Sequence, residues 1–267
     1  MKLYIDYFRL RILMFMQYRT AAIAGLTTQF FWGMMLIFIY IAFYTYGSEV
    51  DSISLSQIVT YTWLHQSFYA LLSVRLSDEE IADSISSGNV AYEIIRPYNL
   101  YFWWYIKVFA KRVAAGVLRI LPVVILAFML PEPYGLSLPS SIPNFILFLV
   151  SVVLGIFIVT GINMLVYTIG FYTYNQNGIS QIINSLIEVL SGAYLPVVLL
   201  PMFIQKATYF LPFRMITDLP FRLYSNNIGI NEGLISILLQ VMWVIILIVL
   251  GNLIVKKALK KVFVQGG

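Results

Sequence analysis

The sequence predicts an all-α membrane protein. Six transmembrane helices are expected, with an interfacial amphipathic helix before the first. A short polar helical element separates spans 2 and 3, and short re-entrant outer helices separate spans 5 and 6. Three observations carry this prediction. Hydrophobic residues make up 60% of the 267-residue chain and charged residues only 11%, where soluble domains carry about 25%. The mean hydropathy is +0.85. The apolar residues gather into long stretches, with Lys and Arg collected between some of them and absent between others.

Each element has its own signal. Residues 3–19, LYIDYFRLRILMFMQYR, interleave aromatic and aliphatic side chains with arginines. They are too charged to cross a bilayer, and an amphipathic helix over residues 1–20, lying in the interface, suits them. The same residues hold no uninterrupted apolar run or cleavage site, so no signal peptide is expected. Stretches of about 20 apolar residues can span the hydrocarbon core. They occur at 21–46, 55–74, 108–130, 145–172, 179–204 and 233–255. The fifth is interrupted by Glu188, Pro196 and Pro201. No long internal repeat is visible, and 1–267 reads as a single transmembrane domain.

Orientation follows from Lys and Arg, which accumulate on the cytoplasmic side. The N-terminal segment holds Lys2, Arg9, Arg11 and Arg19. The segment after span 2 holds Arg75, Arg96, Lys107, Lys111 and Arg112, and the C-terminus holds Lys256, Lys257, Lys260 and Lys261. The segments 47–54 and 131–144 have neither, but carry Glu49, Asp51 and Glu132. Both termini are therefore expected on the cytoplasmic side of the cell membrane. Lys206, Arg214 and Arg222 in the outer segment, and the uncharged 173–178 turn inside, run against this bias. The net charge of +5 is explained by the membrane and calls for no nucleic acid. The absence of cysteine excludes disulfides and thiolate metal sites.

Residues 77–97, SDEEIADSISSGNVAYEIIRP, are polar and patterned. Ser77 and Glu80 have capping-box spacing. Asp78, Glu79 and Glu80 then fall at the positive end of a helix. Ile81 and Ile85 share one face, and Gly88-Asn89 is a stop signal. A second short helix with Tyr92, Ile94 and Ile95 ends at Arg96-Pro97, because the residue before proline avoids helix. A solvated connecting loop is the plainer alternative. Residues 192–225 hold Pro196, Pro201, Pro212 and Pro220 in an apolar run. They suit short helices that dip into the membrane and return, and suit an amphipathic outer loop equally.

These features together resemble the membrane subunit of type-2 ABC exporters, a class that includes drug-efflux and polysaccharide-export permeases. The likeness lies in MQYRT before the first span, SGNVAYEIIRP between spans 2 and 3, and SGAYLPVVLLP leading into FLPFRMITDLPFRLY before the last. It is closest to a branch whose permeases often work with a second, related permease. The resemblance implies that residues 77–97 form a coupling helix. Ser77, Asp78, Glu80, Ile81, Ile85, Gly88, Glu93, Arg96 and Pro97 would dock it onto a dimer of ATP-binding subunits. No G-x-x-x-x-G-K-[ST] loop occurs. The chain is thus expected to be non-catalytic and to bind no cofactor, with ATP and Mg held by the partner ATPase. The resemblance also favours a related second permease over an identical copy.

Ionisable groups well inside spans normally face protein or water. Here they are His65, Arg119 and Glu188, with Asn184 one turn from Glu188. Glu188 either lines a path for cargo or pairs with Arg119; structural pairing is favoured. Arg119 can also snorkel to the inner end of its span. His65, beside Gln66, reads as an interhelical hydrogen-bonder rather than a proton relay. Trp103-Trp104-Tyr105 reads as an interfacial belt. The function expected is export of an amphipathic or hydrophobic molecule. An ion-coupled secondary carrier is the alternative, but such carriers show matching broken helices in two halves. A membrane enzyme would need clustered acid–base groups.

Overall fold

The structure is a computed structural model that describes residues 2–17, 19–47, 52–173 and 176–260. Glu49, Asp51, Lys261 and part of the 173–178 turn lie outside the described residues. The described elements are α1 (Lys2–Phe15), α2 (Arg19–Tyr46), α3 (Leu55–Leu72), α4 (Glu79–Ser86), α5 (Val90–Ile94), α6 (Leu100–Met129), α7 (Ile142–Ile169), α8 (Gln176–Ser191), a 3₁₀ turn (Val197–Leu199), α9 (Met202–Phe210), α10 (Asp218–Tyr224) and α11 (Ile230–Leu259). No strand occurs among them.

Among the described residues, four helices are long and apolar enough to cross a membrane: Ala24–Tyr46 of α2, α6, α7 and α11. The third expected span begins earlier than its apolar run, because Asn99 caps α6 by accepting from the Phe102 amide. Helix α3 differs. Its 18 residues measure about 27 Å at 1.5 Å per residue, but it carries Ser56, Gln57, Thr60, Thr62, His65, Gln66 and Ser67. It tolerates this polarity because it runs through the centre, against α2, α6, α7 and α10. A full capping box starts it: Gln57 N donates to Ser54 Oγ, and Ser54 N donates to the Gln57 side chain. Thr62 and Ser67 donate back to carbonyls of their own helix, Ile58 O and Trp63 O.

The expected fifth span, 179–204, is not one helix. Helix α8 stops at Ser191 and the chain turns at Gly192, where φ is +83°. A Cβ there would stand 2.6 Å from the Tyr61 hydroxyl, so a side chain meets both an unfavourable backbone and a wall. Pro196 and Pro201 then lead into the 3₁₀ turn and α9. Between α9 and α10 the chain reaches Gly155, halfway along α7: a Cβ there would meet Ile216 O at 3.1 Å. Gln240 of α11 donates to Met215 O at the same depth.

One end of the bundle gathers α1, α4 and α5. Their neighbours are the start of α6 and the ends of α7 and α11: Ile81, Ile85 and Val90 pack with Leu100, Trp104, Val108, Tyr167 and Val255. Helix α1 lies on α6. Trp103 is sandwiched between Tyr7 and Tyr98, with ring centroids 3.7 and 4.4 Å away. On the other side of α1, Leu3, Leu10, Leu13 and Met14 are exposed.

Candidate functional site

The site is built around α4. Its N-cap is Asp78, not Ser77 as the spacing suggested: Asp78 Oδ1 accepts from Ile81 N at 3.4 Å. The Ser77 carbonyl instead receives Lys111 Nζ at 2.8 Å. Asp78 is buried because its other neighbours hold it. Lys107 Nζ lies 3.1 Å from its carboxylate, and its backbone N–H donates to the Tyr167 hydroxyl of α7. Gly88, at φ +76°, ends the helix as expected, since a left-handed residue closes the last turn and glycine adopts it freely.

Glu80 closes a latch onto α1. Arg11 meets it through both terminal nitrogens, at 3.0 and 3.3 Å, and Lys107 Nζ approaches to 2.7 Å. The Arg11 hydrogen bonds, then those of Lys107, pull its carboxyl down to about 2. Glu93 of α5 accepts from Ser84 Oγ of α4 at 3.0 Å and from Trp104 Nε1 at 2.8 Å. The two short helices are thereby held to each other and to α6.

Behind α4 sits Arg112, 0% exposed. It donates to Leu71 O (3.3 Å), Ser73 O (2.7 Å), Leu76 O (3.1 Å) and Asn163 Oδ1 (2.9 Å). Asn163 in turn donates to Val74 O at 3.1 Å. One cation of α6 thus satisfies the carbonyls left at the C-terminal end of α3 and along the link to α4, which have no partner in the helix itself. These bonds join α3, α6, α7 and the link that leads to α4. The sequence pattern marked Arg112 and Lys107 only as inner-side charges, and Asn163 and Tyr167 only as polar groups within an apolar run.

Several docking residues predicted from sequence are already engaged within the chain. Ile81 and Ile85 are buried in its own core, where they anchor α4. The face left open carries Glu79, Asp83 and Gly88 and continues through Arg96 and Pro97. Tyr92 (70%) and Ile95 (81%) are its large exposed apolar groups.

A second feature opens between α2, α3 and α8. It is a cleft of about 380 Å³ lined by Trp32, Leu36, Tyr69, Gln29, His65 and Gln66, with Arg75 and Glu188 at its wall. Glu188 pairs with Arg75, not Arg119: Arg75 Nε lies 2.8 and 2.7 Å from its two oxygens, and Tyr194 Oη donates at 2.7 Å. The pairing works because Arg75 lies beyond the end of α3 and its long side chain reaches the buried acid. Ser185 also joins this group, accepting from Arg75 Nη2 at 3.1 Å. Asn184 makes no hydrogen bond to it among the described residues. Arg119 turns its guanidinium against Gly25 of α2, where a Cβ would come within 2.9 Å. His65 makes ring-edge contacts with Tyr69 and Phe221 and no hydrogen bond among the described residues, contrary to expectation. Nor is Trp103-Trp104-Tyr105 a lipid-facing belt. Trp104 and Tyr105 are buried, and the Tyr105 hydroxyl donates to Phe157 O.

Apolar spanning helices around a central polar one, with a short capped helix locked at one end, define a polytopic membrane protein whose distinctive part is that helix. Residues 30–266 match the profile of the ABC-2 family transporter protein, and the chain belongs to that family. It is an ABC-2 type permease subunit of a membrane complex, and family membership implies partnership with an ATP-binding subunit. No curated protein matches the chain.

Proposed function

We propose that this chain is the non-catalytic permease of an ATP-driven exporter, gripped through the open face of α4–α5 by a separate ATPase. The observation that carries this is two-sidedness. One side of α4 is locked to α1, α6 and α7 by Glu80, Asp78 and Ile81, and α5 and its end beside it offer Tyr92 and Ile95 to a partner. A push on that open face would reach the bundle through bonds rather than through a slack linker. ATP and Mg would reside on the ATPase, as the chain has no P-loop.

In this reading both termini and α4–α5 lie in the cytoplasm, and α1 rests its exposed Leu3, Leu10 and Leu13 in the inner interface of the cell membrane. The segment 192–225 re-enters the bilayer from outside, supported by the depth of Met215 and Ile216. The cleft at Trp32, Tyr69 and Glu188 is a stretch of the path for an amphipathic or hydrophobic cargo. A second, related permease would complete that path.

The test is co-purification with a candidate ATP-binding subunit. Ile95→Asp and Arg96→Glu should release the ATPase and abolish cargo-stimulated ATP turnover while the permease stays folded. Normal coupling in both variants would sink the docking assignment.

A further inference from the structure

We propose that the cleft between α2, α3 and α8 selects cargo by pairing an uncharged amide group with Gln29, His65 and Gln66. The preferred substrates are then amphiphiles that carry a carboxamide or peptide bond. This rests on reading the cleft as part of the cargo path.

Gln29 is 6% exposed, and neither its Oε1 nor its Nε2 has a hydrogen-bond partner. Leaving a buried amide unpaired costs stability, and native structures rarely do it. Its neighbours are treated differently. Thr28 donates to Ala24 O, Thr62 to Ile58 O and Ser67 to Trp63 O. The side chains of His65 and Gln66, which line the same cleft, make no hydrogen bond among the described residues. Gln29, His65 and Gln66 thus line one cleft, and none of their side chains is paired among the described residues.

The chemistry of the missing partner follows. Gln29 offers a donor and an acceptor side by side, which an amide complements with its own acceptor and donor. The charged groups at the wall, Arg75 and Glu188, neutralise each other, so the cleft favours a neutral head. Trp32, Leu36 and Tyr69 suit an apolar tail.

The test uses the full permease with its ATPase in nanodiscs and two radiolabelled probes, N-dodecanoylglycine N-methylamide and its ester isostere methyl dodecanoyloxyacetate. The amide should bind about tenfold more tightly. Gln29→Leu should remove most of that preference without weakening ester binding, and should leave thermal stability unchanged or raised. Thr28→Trp, which fills the mouth of the cleft, should abolish binding of both. Equal binding of the two probes, both lost in Thr28→Trp, overturns the amide inference and leaves the path intact. An amide preference that survives in both Gln29→Leu and Gln66→Leu overturns it too. So does a Gln29→Leu variant that dissociates the paired permeases with probe binding unchanged, since the partner chain then satisfies Gln29. Binding insensitive to Thr28→Trp overturns the cargo path itself.

Discussion

Arg112→Met should do more damage than any other single change at the α4 end. The substitution keeps most of the side-chain volume and removes every donor. Three acceptors, Ser73 O, Leu76 O and Asn163 Oδ1, lie within 3.1 Å of the guanidinium. Each buried acceptor left without a donor costs about 1–3 kcal/mol, which sums to roughly 3–9 kcal/mol. Relief from holding a buried cation offsets part of this, leaving a net loss of about 3–5 kcal/mol. For a chain of this size that is on the order of 6–15 °C in Tm. Fluorescence-detected size-exclusion after a heating series measures it in detergent. Hydrogen exchange should rise at residues 73–78, which Arg112 holds, and stay flat in the middle of α7. Arg112→Lys, which keeps the charge but loses the planar fork, should fall between. A Tm within about 2 °C of the parent, with unchanged exchange at 73–78, would refute the argument that this side chain ties the link to the bundle.

Two further predictions concern the same end and the break in α8. The Glu80 carboxyl sits at about 2, against an ordinary 4.5. A depressed carboxyl contributes its stability above about 4.5 and loses it as pH falls toward 2, so exchange at residues 2–15 should accelerate across that window. Glu80 is 64% exposed, so salt should weaken the latch as well. Glu80→Gln should loosen α1 at neutral pH and flatten the profile; a parent profile already flat from pH 6 to 3 would contradict the latch. Gly192→Ala combines a positive φ with a Cβ 2.6 Å from the Tyr61 hydroxyl. It should destabilise by about 1–3 kcal/mol, read as a lower Tm, and an unchanged Tm would show that α8 ends there for another reason.

How far the sequence went depended on the range of the interaction. The helix over 79–86 was legible because its signals are local: acids at its first turn, Ile81 and Ile85 four apart, Gly88 at its end. The wrong cap arose because Ser77 and Asp78 are both good N-caps, and Lys107 and Tyr167, distant in sequence, decide between them. The fifth span was overextended because hydropathy counts Leu195 to Leu200 as membrane-compatible and does not see the left-handed turn at Gly192. Glu188 was matched to the wrong arginine because only groups inside spans were considered, and Arg75 stands just outside one. Arg112 was read as one more positive charge on the inner side. Its work is done by four carbonyl and amide oxygens on α7 and around the end of α3, a pattern that no periodicity displays. Exposure at this element was half legible: Arg96, Pro97 and Gly88 lie on the open side, whereas Ile81 and Ile85 face inward because α6 and α7 cover them.

The chain has no cysteine, so single-cysteine variants report one position each. The account predicts that Ile95→Cys reacts with a membrane-impermeant maleimide only from the cytoplasmic face, and that adding the ATPase subunit protects it, while Ile85→Cys resists labelling throughout. Labelling of Ile95→Cys from outside the cell, or labelling that the ATPase leaves unchanged, would contradict the claim that the α4–α5 element is where the motor takes hold.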